Sequence, residues 1–124
     1  MRYEENEIQN VTIVSVHGDI IGDQSRRRLV DHVWALLSED HSRIVLDVTD
    51  VRHVDSRGLG ELIECYRAAE SRGAAVKLLG VNGRLSDLLV ITKLVNVFEC
   101  FETRGAAVAS FAGVPVPLAV AAAR

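Results

Sequence analysis

The stretch RIVLDVTDVRHVDSRGLGELIECYRAAESRGAAVKLLG, residues 43–80, sets a helical pattern between two short apolar runs. Its first run, RIVLDV at 43–48, is largely β-branched and apolar, the composition of a strand buried on both faces of a parallel sheet. Leu59, Leu62, Ile63 and Tyr66 then recur at i, i+3, i+4 and i+7, so a helix is expected from about Ser56 to Ser71, with Gly73 as its stop. The second run, AAVKLLG at 74–80, reads as another buried strand. Strand, helix and strand in so short a span form a crossover unit, which implies right-handed connections and a mostly parallel sheet.

The flanking sequence extends the pattern. VTIVSVH, residues 11–17, is a strand bounded by Gln9-Asn10 and Gly18, with residues 3–8 as its hairpin partner. From Asp23, a candidate N-cap, Leu29, Val30, Val33, Trp34 and Leu37 form the inward stripe of a helix reaching about Glu39. Leu85, Leu88, Leu89 and Thr92 mark a third helix, VNVFECF at 95–101 a further strand, and 103–111 a last short helix with Val108 and Phe111 facing inward. The expected architecture is one α/β domain over residues 1–111, with about four to five strands in a mixed, mostly parallel sheet and about four helices. Residues 112–124, interrupted by Pro115 and Pro117, read as a flexible tail.

Composition narrows the function. The chain has 124 residues, 48% hydrophobic and 25% charged, with a formal net charge of -3, the balance of an ordinary folded domain. The triplet Arg26-Arg27-Arg28 falls short of a basic patch and reads as a solvated helix face, so no direct nucleic-acid contact is expected. The acidic start MRYEENEIQN lacks a secretory core, and no apolar run approaches the ~18 residues of a membrane span. A cytoplasmic protein, monomeric or weakly dimeric and not membrane-bound, is expected. Cys65 and Cys100 lack metal-ligand spacing and read as reduced, buried small hydrophobes. The four histidines show no i, i+4 pair, and no metal or cofactor is expected.

The chemistry concentrates at Asp55-Ser56, where the second helix begins at the carboxyl edge of the sheet, the edge at which ligands of open α/β sheets gather. Gly58 and Gly60 each cost a helix about 1 kcal/mol relative to alanine, so something other than helix stability keeps them. Two readings stand side by side. Asp and Ser are common helix caps, and glycine permits close packing. Alternatively, Ser56 accepts a phosphoryl group whose charge the helix start offsets, and the glycines let another protein approach it. Leu59 occupies the position where a reciprocal capping box would carry Glu or Gln. A hydrolase nucleophile at Ser56 is disfavoured, because Val54 stands where the nucleophile elbow requires glycine. No catalytic residue is assigned.

The run Asp55-Ser56-Arg57-Gly58-Leu59-Gly60, with Gly73 and the LLVITKL segment at 88–94, resembles the core of the STAS domain of bacterial anti-sigma factor antagonists. The similarity is densest over 46–99 and extends to about 3–111. The resemblance implies a non-enzymatic partner-switching protein. It makes Ser56 the residue phosphorylated by a cognate anti-sigma factor that is also a serine kinase, with a PP2C-type phosphatase reversing the reaction. It also implies that the unphosphorylated form binds the anti-sigma factor. Asp19, Asp55, Ser56, Arg57, Gly58, Leu59, Gly60 and Glu61 are then the expected partner-binding residues, with Glu61 and Glu64 on the outward helix face. Two positions depart from the family: Arg57 replaces a small residue, and Gly18-Asp19-Ile20-Ile21 stands where well-known members carry Gly-Glu-Leu-Asp. A non-phosphorylated STAS module of a transporter or stress-sensing complex is the alternative.

Overall fold

A computed structural model of the chain describes residues 2–20 and 29–112. Strands β1 (Arg2–Ile8) and β2 (Val11–His17) form the expected hairpin. Its two-residue turn, Gln9 and Asn10, has φ of 51° and 67°, the left-handed pair whose twist matches an antiparallel ribbon. Strands β3 (Arg43–Asp50), β4 (Ala75–Leu79) and β5 (Cys100–Phe101) follow in parallel, giving one sheet of five strands in the order β1-β2-β3-β4-β5. Among the described residues there are four α-helices: α1 (Leu29–Ser38), α2 (Ser56–Ser71), α3 (Gly83–Ile91) and α4 (Arg104–Ala109).

The period of two along each strand divides the core between the faces of the sheet. Val14, Val16, Ile44, Leu46, Val48, Val76 and Leu78 pack with the buried residues of α1, α2 and α3. Val11, Ile13, Val45 and Leu79 point the other way, onto Ala107, Val108 and Phe111. Lys77 also lies on this second face and is 4% exposed. Its Nζ donates to Ser110 Oγ at 3.0 Å and sits 4.2 Å from the Phe111 ring centroid, so hydrogen bonding and the ring face both compensate a buried cation. The end of α4 is held onto the sheet by this contact.

Several boundaries and orientations differ from the sequence expectation. Trp34 is 42% exposed rather than inward, and Leu36 takes its place in the stripe. Its ring lies 6.0 Å from the Arg72 guanidinium carbon. The expected strand 95–101 shrinks to Cys100–Phe101, because Lys93, at φ 63°, turns the chain into a 3-10 segment at Leu94–Asn96. That turn leaves Val95 and Val97 exposed. Cys65 is buried as expected, whereas Cys100 is exposed on the two-residue edge strand. Asp23, Ile21, Arg26-Arg27-Arg28 and the tail from residue 113 lie outside the described residues.

Candidate functional site

The loop from β3 to α2 is built by pairing with a distant segment. Ile20 forms an isolated parallel bridge with Val54; its N–H donates to the His53 carbonyl at 2.9 Å, and its carbonyl accepts from Asp55 N at 3.4 Å. The preceding Asp19 lies beside His53, with Oδ1 3.1 Å from the ring Nδ1. Asp19 is therefore brought against the loop that leads into α2.

At the helix start the two sequence readings separate. Asp55, with φ -100° and ψ 179°, is the N-cap, and its Oδ1 accepts from Gly58 N at 2.6 Å. The capping oxygen that α2 needs comes from the aspartate, not from the serine. Ser56 is the first helical residue and exposed, and its hydroxyl has no hydrogen-bond partner among the described residues. The adjoining peptide N–H groups and helix dipole make this an electropositive position on the peptide scale.

The remaining expected residues divide into buried and exposed. Leu59 is 6% exposed and packs in the core with Leu62 and Cys65. Gly58 is buried, and a Cβ placed there would stand 1.9 Å from the Ile20 carbonyl oxygen. Its missing side chain admits the chain's own Ile20 segment, which corrects the expectation that it clears space for a partner. Gly60 is different: a Cβ there would meet nothing within 4 Å. Glu61 is also corrected. It is 3% exposed, and its Oε2 accepts from Val30 N at 3.1 Å, so the carboxylate serves the start of the described part of α1 rather than an outward surface. Glu64 does face outward, and Arg57 is exposed beside Ser56.

Two residues outside the expected partner-binding set adjoin the site: His53, the one histidine close to Ser56 in sequence and there disfavoured as a base, and Arg84, which the sequence did not single out. His53 and Arg84 line, with Val54 and Asp55, a surface depression of about 310 Å³ that reaches the N-cap of α2. Arg84 belongs to the first turn of α3. Because β3 and β4 are parallel, α2 and α3 both start at the same edge of the sheet, a topological signal that places Arg84 near Asp55. Arg52, Arg57 and Arg84 are all exposed and make no ion pair among the described residues.

Fold and site together define an α/β domain that presents an exposed serine at a helix start. The STAS domain family model matches residues 2–107, and the chain belongs to that family. The anti-sigma-B factor antagonist of Listeria monocytogenes is 32% identical over 60 residues, an alignment covering 48% of this chain and 53% of that protein. The chain thus spans about half the length of that curated relative. An anti-sigma factor antagonist from Mycobacterium paratuberculosis has the same fold, with a TM-score of 0.75 at 20% identity over 88% of this chain and 92% of the other. A sulfate transporter family protein from Wolinella succinogenes superposes with a TM-score of 0.66 at 21% identity, over 85% of this chain and 87% of the other.

Proposed function

We propose that this protein is a cytoplasmic, non-enzymatic anti-sigma factor antagonist whose binding to an anti-sigma factor is switched off by phosphorylation of Ser56. The carrying observation is that Asp55 caps α2 while the Ser56 hydroxyl stays exposed and unengaged among the described residues. The likeness to the Listeria anti-sigma-B factor antagonist supports this reading. In the transfer, Ser56 Oγ attacks the terminal phosphorus of a nucleoside triphosphate held by the partner kinase. The new O–P bond forms as the nucleoside diphosphate leaves, and the hydroxyl proton passes to a base on the kinase. A PP2C-type phosphatase returns the hydroxyl by water attack, releasing inorganic phosphate.

The likeness to a sulfate transporter family protein favours a second reading, a constitutive interaction module. In that reading Ser56 serves only the local structure, yet the capping role is already filled by Asp55. The experiment that separates the two is phosphate uptake from labelled ATP in an extract of the source cells. Wild-type protein is expected to take up label and Ser56→Ala to take up none; equal labelling of both would overturn the assignment of Ser56.

A further inference from the structure

Phosphorylation would place roughly -1.5 to -2 charges beside the Asp55 carboxylate. Asp55 is committed to Gly58 N, and His53 is already beside Asp19. Of the four residues lining the depression, Arg84 is the one whose charge has no partner among the described residues.

The position of Arg84 is fixed by the ends of two strands. Asn82 Nδ2 donates to the Gly80 carbonyl at 2.7 Å and to the Thr49 carbonyl at 3.2 Å, tying the entry of α3 to the end of β3. Gly80, at φ 78°, lies so close to Thr49 that a Cβ would fall 2.0 Å from Thr49 Oγ1. The backbone leading into Arg84 is thereby held against the strand that leads into Asp55 and Ser56.

We propose that Arg84 receives the phosphate carried by Ser56, closing a clamp between the first turns of α2 and α3. The inference rests on the phosphorylation of Ser56 proposed above. A guanidinium presents several N–H donors in a planar fork suited to phosphate oxygens, so the pair adds geometry as well as charge. Clamping changes the surface in two ways. It adds negative charge at Ser56 and withdraws the positive charge of Arg84 from anything that approaches the site.

The test uses the full chain with phosphoserine genetically installed at position 56, so no kinase is needed. Its phosphate is titrated by phosphorus NMR, alone and with Arg84→Gln, Arg84→Lys or Arg57→Gln. A cation at hydrogen-bonding distance favours the dianion, so Arg84→Gln is expected to raise the titration midpoint by about half a pH unit. Arg84→Lys should retain most of the wild-type value, and Arg57→Gln should move it by clearly less than Arg84→Gln does. An unchanged midpoint in Arg84→Gln, or a shift that follows Arg57 instead, would overturn the clamp. Failure here would leave Ser56 as the acceptor, whereas absence of phosphate from the protein in its own cells would remove the acceptor without altering this titration.

Discussion

Gly58→Ala is expected to destabilise the domain by about 2–3 kcal/mol, while the same change two residues later, Gly60→Ala, stabilises it by up to about 1 kcal/mol. Both glycines lie inside α2, where alanine is the better helix former. The difference comes from what each added methyl meets. At position 58 it would lie 1.9 Å from the Ile20 oxygen, 2.7 Å from the Ile20 carbonyl carbon and 3.0 Å from Ile20 Cγ2. Backbone atoms cannot rotate away as a side chain can, so the strand-like pairing of Ile20 with Val54 must shift. At position 60 the methyl enters open space. Urea unfolding of the two variants checks this through opposite changes of the midpoint at unchanged slope. Equal effects at both positions would show that helix propensity, not the Ile20 contact, governs this turn.

Ser56→Asp is expected to weaken binding of the proposed anti-sigma factor partner by roughly thirty- to a hundred-and-fifty-fold, corresponding to about 2–3 kcal/mol. The fold should persist. Ser56 is exposed in the first turn of α2, where a carboxylate interacts favourably with the helix dipole by about 0.3–1 kcal/mol. The loss in affinity is therefore an interface effect, arising from like charge beside Asp55 and the desolvation of a new anion. Calorimetry against the partner that co-purifies from the source cells provides the measurement, with Ser56→Ala as the variant that keeps wild-type affinity. Undiminished affinity of Ser56→Asp, with an intact fold by circular dichroism, would contradict switching by charge at this position.

The crossover unit at the centre of the chain was legible because its signals are local. Residues 56–71 carry a clear helical period and end before Gly73, whose φ of 68° supplies the left-handed stop, and the observed helix has those bounds. The hairpin likewise follows from a two-residue polar turn, Gln9-Asn10, set before the β-branched run 11–17. Glu61 shows where local reading fails. Its spacing from Gly58 and Cys65 places it on the buried stripe, but its charge argued for solvent, and its partner is an amide 31 residues away. The purpose of Gly58 was hidden for the same reason, since the Ile20–Val54 bridge that demands it joins segments far apart in sequence. Over 95–101, β-branched composition suggested a strand, but the chain turns at Lys93 and reaches β4 only where Leu78 pairs with Cys100. Tertiary packing decided each of these cases.

The candidate site was legible in part. Ser56 and Asp55 were read from the helix start and the family resemblance, but the sequence left open which of them caps the helix. The hydrogen bond from Gly58 N to Asp55 answers that question. Asp19 joins the site through His53. Arg84 escaped notice because its proximity to Asp55 depends on the parallel order of β3 and β4, which brings two successive helix starts to one edge.

Phosphorylation of Ser56 is best checked by intact-mass measurement of the protein isolated from its own cells under several growth conditions, with peptide fragmentation to locate any added group. One added phosphate is expected, on Ser56, with an occupancy that changes with growth condition. Protein without phosphate in every condition, yet still held in a complex with its partner, would contradict a phosphorylation switch and identify a constitutive interaction module.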